Sequence, residues 1–108
     1  MEELEMTLLV KPPKLLEFKQ TLYDLVKKLE KHCTSLVIIE SENDLSFSIL
    51  VKWKSSVHMQ EALINKEFEI LSGAITALCE KIEIKLNDKH VAKHISMLAK
   101  LKKQSLNT

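Results

Sequence analysis

At 108 residues, with 45% hydrophobic and 29% charged residues, the chain has the composition of one globular domain, which excludes a disordered segment. Its net charge of +1, with acids and bases interspersed, excludes an electrostatic nucleic-acid binder; all 16 basic residues are lysine, so the planar arginine fork that clamps phosphate or carboxylate is missing. Cys33 and Cys79 are too few for a disulfide framework and lack CxxC spacing, which fits two thiols kept reduced in a cytoplasmic protein.

The amino terminus carries Glu2, Glu3 and Glu5 in place of a basic then apolar signal sequence. No apolar run approaches the ~20 residues needed to span a bilayer. From Leu4 to Lys11 the pattern alternates, with Leu4, Met6, Leu8 and Val10 on one side, and predicts a strand. Pro12 and Pro13 end it, since neither can donate to a ladder. Between Lys14 and Lys31, Leu15, Phe18, Leu22, Leu25, Val26 and Leu29 recur at steps of three and four, the stripe of an amphipathic helix. Lys27, Lys28 and Lys31 fall in its last turn, where cations complement the dipole.

Two strands follow, Ser35 to Ser41 and Ser46 to Lys54, around the polar turn at Glu42, Asn43 and Asp44. The first is apolar on both faces through Leu36, Val37, Ile38 and Ile39, so both faces need cover. Ser55 or Ser56 caps a helix starting near Val57, with Met59, Ala62 and Leu63 as its apolar side. Asn65 and Lys66 interrupt it, and Phe68, Leu71, Ala74, Ile75 and Leu78 resume the helical spacing. Gly73, the one glycine, lies inside this second piece, where it predicts close approach of helix to sheet. Lys81 to Leu86 alternates as a fourth strand, and the lysine-rich tail from Lys89 reads as an appended amphipathic helix through Val91, Ile95, Leu98 and Leu101.

The order βαββαβ is the split-βαβ, ferredoxin-like α+β arrangement, an antiparallel sheet with both main helices on one face. It occupies residues 1–88, with the tail helix as 89–108. The other face of the sheet would be open in a monomer, and the doubly apolar strand at Leu36 to Ile39 implies that it is covered, which predicts a homodimer closed by a two-fold.

A strand ending in Trp53, Ser55 two residues on, a short helix, then Phe68 followed by Leu71-Ser72-Gly73-Ala74 resembles the antibiotic biosynthesis monooxygenase family. The opening Glu5-Met6-Thr7-Leu8-Leu9-Val10-Lys11-Pro12 is similar as well, and the likeness covers about residues 4 to 86. The resemblance implies a dimeric α+β barrel with a pocket in each subunit between helices and sheet. It also implies cofactor-independent oxygenation of a small aromatic or quinol substrate. Many members carry a histidine six residues before the phenylalanine; here that position is Ala62. The haem-degrading relatives place a tryptophan, an asparagine and a histidine where this chain has Ala62, Met6 and Ser72, so haem degradation is disfavoured and no cofactor is expected.

Oxygenation without a cofactor needs an apolar pocket, a proton acceptor and a group that holds an oxyanion. His58 is the candidate base, although the first turn of a helix also suits a solvent-facing histidine. Trp53 reads either as a stacking surface for an aromatic substrate or as core, and Tyr23 as a ligand donor or a boundary residue. Met6, Met59 and Phe68 would make a wall suited to a flat apolar ligand, or plain core. With Ala62 and Ser72 these form the candidate substrate-binding set. His90 and His94 share a helical face but lack a third ligand beside them, so no metal site is expected. The alternative function is a non-catalytic dimeric module that binds a small apolar ligand or a protein. A pocket lined by His58 and a second hydrogen-bonding side chain would favour the enzyme; one filled by Met6, Met59 and Phe68 would favour the module.

Overall fold

The computed structural model describes residues 1–41, 43–87 and 89–92, the last three by backbone alone. Strand β1 (Glu2–Val10) is followed by a 3-10 turn (Pro12–Lys14), helix α1 (Leu15–Leu29) and a second 3-10 turn (Glu30–His32). Strands β2 (Ser35–Ser41) and β3 (Ser46–Trp53), helices α2 (Ser56–Leu63) and α3 (Lys66–Leu78), and strands β4 (Cys79–Leu86) and β5 (Lys89–Ala92) complete the order. The sheet runs β2-β3-β1-β4-β5 with every neighbouring pair antiparallel, the ferredoxin-like topology with one strand added at the β4 edge.

Period-two alternation sorts the sheet into two faces. In β1, Leu4, Met6, Leu8 and Val10 are buried toward the helices, and in β3 so are Phe47, Ile49, Val51 and Trp53. Cross-strand partners reinforce this: Met6 stands between Ile49 and Ile84, and Leu8 between Phe47 and Ile82. Helix α1 contributes Phe18, Leu22, Leu25 and Leu29, and α3 contributes Phe68, Leu71, Ile75 and Leu78. Phe18 meets Phe47 edge-on, with ring centroids 5.1 Å apart and planes at 62°, a geometry the aromatic quadrupoles favour. Each of these large side chains stabilises the fold by about 1.5–3 kcal/mol through burial.

Among the described residues, the opposite face carries no helix. Across β2, β3 and β1 the register aligns Val37 with Leu50 and Glu5, and Ile39 with Ser48 and Thr7. Val37 is 43% exposed and Ile39 64%, so the second apolar face of β2 is open in the single chain.

Three expectations change. The tail does not begin as a helix at Lys89: Asn87 adopts a left-handed φ of 52°, and the chain folds back so that Lys89 pairs with Leu86 and Ala92 with Ile84. Asparagine tolerates that conformation, and Asn87 ties it down. Its N–H donates to the Glu3 carbonyl (2.8 Å), its Oδ1 accepts from Glu3 N–H (2.9 Å) and its Nδ2 donates to Glu2 Oε2 (2.7 Å). The remainder of the expected tail helix, with His94, lies outside the described residues; His90 stands in β5, so helical spacing does not pair it with His94. Gly73 does not bring helix and sheet together either, because a Cβ built there meets nothing within 4 Å. Finally, the helix expected over Lys14 to Lys31 is α-helical only from Leu15 to Leu29, with a 3-10 turn at each end. The second of these turns sets the rim of the site.

Candidate functional site

The end of α1, the end of β3 and the short α2 converge around a wide-mouthed cleft of about 460 Å³. The 3-10 turn and the two residues after it supply Lys31, His32, Cys33 and Thr34. The β3 end supplies Trp53 and Lys54, and the α2 region His58, Glu61, Ala62 and Asn65. Beneath it, between α1, α3 and the sheet, a crevice of about 20 Å³ is walled by Leu22, Val26, Leu36, Ile49, Val51, Phe68 and Leu71 among others. His32, Cys33, Trp53, Ala62 and Asn65 line both spaces and form the threshold between them. A volume of about 20 Å³ has room for a water-sized group and none for a ring.

The local sequence explains how each polar group is held. Ser55 is extended (φ −150°, ψ 167°) and caps α2, its Oγ accepting the His58 N–H at 3.3 Å. The same Oγ lies 2.7 Å from His58 Nδ1, so one serine both starts the helix and orients the exposed imidazole at the cleft. Asn65 repeats the device at α3: its Oδ1 accepts from Glu67 N–H at 3.0 Å. With Oδ1 so engaged, it is Nδ2 that faces His32 Nε2 at 3.3 Å. In that pairing Nδ2 donates and the ring nitrogen accepts. The bond joins the end of α1 to the α2–α3 junction across the threshold.

Cys33 Sγ donates weakly to the Leu29 carbonyl at 3.5 Å, and burial, followed by the nearby Glu30 carboxylate, raises its pKa; a backbone hydrogen bond from Ser35 opposes them. The thiol is therefore held protonated and is a poor nucleophile. Trp53 is 2% exposed, and its Nε1 is enclosed with no hydrogen-bond partner among the described residues. Also among them, no group of three or more His, Cys, Asp or Glu side chains is placed to hold a metal ion. No helix in that range is long and apolar enough to cross a membrane.

Of the candidate residues, the structure brings together His58, Trp53 and Ala62 at the mouth, and Trp53, Ala62 and Phe68 around the crevice. Met6 and Met59 do not form a wall of the cleft: they are 0% and 8% exposed and pack in the core. Tyr23 lies away from the cleft, 43% exposed on α1, with its hydroxyl donating to Glu40 Oε2 at 2.9 Å. Ser72 lies outside both spaces, on α3, with its carbonyl accepting from Thr76 Oγ1 at 2.9 Å. His32 and Asn65 were not among the candidates. The interruption at Asn65 was the available signal, since an asparagine just before a helical run is a cap. Nothing local pointed to His32, whose partner is 33 residues away.

No family model matches the chain, and no curated protein does. Solved structures do. The crystal structure of an antibiotic biosynthesis monooxygenase is similar at a TM-score of 0.73 and 17% identity, over 82% of this chain and 97% of that one. A conserved protein from Methanosarcina mazei Go1 is similar at 0.71 and 22% identity, over 82% and 91%. A Caulobacter crescentus protein provisionally given the monooxygenase name is similar at 0.71 and 20% identity, over 81% and 87%. The chain thus has the α+β, ferredoxin-like fold of solved structures that carry the name antibiotic biosynthesis monooxygenase.

Proposed function

We propose that the chain is a cofactor-independent oxygenase of the antibiotic biosynthesis monooxygenase type, acting on a small hydroxyaromatic or quinol. The carrying observation is that His58 borders the 460 Å³ cleft together with a second hydrogen-bonding pair, Asn65 and His32. A space of that size suits a ligand of one or two rings. In the tautomer with Nδ1–H donating to Ser55 Oγ, His58 offers its Nε2 lone pair as a base. The base takes the substrate hydroxyl proton, and the resulting phenolate is electron-rich enough to reduce dioxygen. Carbon–oxygen bond formation at the ring carbon follows. Loss of water then leaves the quinone: one oxygen atom stays on the carbon, and the other departs with the hydrogen of that carbon and the hydroxyl proton. The substrate supplies all four electrons that dioxygen takes up, so no reductant is needed.

Oxygen uptake across a panel of hydroquinones and naphthols tests this, with His58→Ala as the comparison. Turnover that drops in the variant is expected. No turnover over a broad panel sinks the oxygenase reading, and an unchanged rate in the variant removes His58 from it. The small crevice favours a second reading, a non-catalytic ligand-binding module, because a ring cannot pass the threshold into the helix–sheet interior. Ligand binding without oxygen uptake distinguishes it.

The working unit in this reading is a homodimer in which a second copy covers Val37 and Ile39. Sedimentation at micromolar concentration is expected to give a dimer, and Ile39→Lys a monomer; a monomeric wild type sinks this part.

A further inference from the structure

We propose that the cleft selects its ligand by a negative charge as well as by a hydroxyl: the ring system it takes carries a carboxylate, attracted by Lys31 and Lys54. The inference rests on the cleft being the ligand site and deepens that reading by naming a substrate class, the hydroxyaromatic acids.

The polar groups of the cleft fall into two sets. The imidazoles are engaged within the protein, His58 with Ser55 and His32 with Asn65. The charged groups are not. Lys31, in the 3-10 turn after α1, and Lys54, just past β3, both border the space, and Glu61 of α2 is the one carboxylate among its lining residues. Among the described residues none of these three makes an ion pair, whereas Lys19 meets Glu40 at 2.8 Å and Lys52 meets Glu3 at 3.9 Å. The cleft thus holds an excess of one fixed positive charge, and protonation of either imidazole can only add to it. The whole chain has a net charge of +1, so this one concavity carries as much excess charge as all 108 residues together. A concave site concentrates such a field and raises the local concentration of ligands of opposite sign.

The kind of anion follows from the kind of cation. Lysine is a point charge on a flexible stem and imposes no planar geometry, which suits a carboxylate entering a wide mouth in a chain without arginine. One excess charge matches one carboxylate; a dianionic phosphate would leave a charge uncompensated. Lys31 and Lys54 lie on elements other than α2, which carries His58, so the matching ligand bears its hydroxyl and its carboxylate at separate positions on the ring system. Both lysines are exposed, which makes each contact of the weak, salt-screened kind and the selection roughly three- to tenfold.

Titration of the full chain with 6-hydroxy-2-naphthoate tests this, followed through the Asn65 side-chain amide and the His58 backbone amide in proton–nitrogen correlation spectra. Its methyl ester is the neutral comparison of similar size. The acid is expected to bind roughly three- to tenfold tighter than the ester at low salt, with the difference shrinking as salt rises. Lys31→Gln and Lys54→Gln should each weaken binding of the acid and leave the ester unchanged. Lys14→Gln, in the turn before α1 and outside the cleft lining, should change neither. Equal affinities of acid and ester, or a loss at Lys14→Gln as large as at Lys31→Gln and Lys54→Gln, overturns the role of the cleft lysines while the ligand site stands. If neither compound moves a cleft resonance, the ligand site itself is overturned and the inference falls with it.

Discussion

Replacing Ser55 by alanine removes two interactions at once, and each has a calculable share. The cap, a 3.3 Å bond from His58 N–H to Ser55 Oγ, is worth about 1 kcal/mol by the usual cost of a serine cap. The 2.7 Å contact of Oγ with His58 Nδ1 is exposed to solvent, which places it at the low end for a hydrogen bond, about 0.5 kcal/mol. Unfolding entropy of about 2.1 cal/mol/K per residue over 108 residues comes to about 0.23 kcal/mol/K. A loss of about 1.5 kcal/mol then lowers the melting temperature by roughly 7 °C. Ser55→Asp restores the cap and should recover most of it. A cycle with His58→Ala should give a coupling of about 0.5 kcal/mol between the two side chains. Thermal unfolding followed by Trp53 fluorescence reads wild type, Ser55→Ala, Ser55→Asp, His58→Ala and the double alanine variant. An Ser55→Ala variant that melts with wild type, or an aspartate that melts with the alanine, would refute the assignment of Ser55 as cap and orienting group.

Gly73→Ala should stabilise the chain by about 1 kcal/mol, the helix-propensity difference, since the new methyl meets nothing within 4 Å. A urea midpoint that falls would show that this face of α3 is in close contact in solution. Burial raises the Cys79 thiol from its ordinary 9.0 to about 12, with Lys11 opposing. The unfolded chain loses this proton first, so Cys79 withdraws stability as pH rises from about 9 toward about 12. Stability of Cys79→Ala should therefore fall less steeply than wild type above pH 9, and parallel curves would refute the burial account. At lower pH, iodoacetamide should modify the half-buried Cys33 well before the buried Cys79, as mass spectrometry of the intact chain can show.

Most of the frame was legible because it depends on local period. The alternation in β1, β3 and β4 and the stripe of α1 each mark a core face that the structure buries. Even the misplacement of Tyr23 was correctable from the sequence. It follows Leu22 by one residue, about 100° around the helix, which takes it off the core stripe. Other features depend on distance or on the third dimension. The start of the tail fits a helical stripe as readily as a strand, and the deciding element is Asn87, which reaches Glu2 and Glu3 at the far end of the chain. Met6 and Met59 read as pocket wall because apolar character does not say which side of a core a residue faces. The threshold bond between His32 and Asn65 spans 33 residues, two strands and one helix, beyond any spacing rule.

The alternation within β3 bears on how the two proposed surfaces relate. Ile49, Val51 and Trp53 point toward the crevice, while Ser48, Leu50 and Lys52 lie on the open face beside Val37 and Ile39 of β2. One strand therefore forms both a wall of the cleft and part of the open face proposed for a second copy. A partner seated on Leu50 would not touch a ligand at Trp53, yet both would restrain the same backbone. Trp53 is also the last rung of the β1–β3 ladder, opposite Glu2, where the strand ends and the Ser55 cap begins. Ordering the sheet from its open face would hold that end, and with it the indole and the imidazole, in one arrangement. The two proposed sites would thus share one strand while touching different faces of it, which makes the pairing state of the protein a variable to fix before ligand affinity is compared between variants.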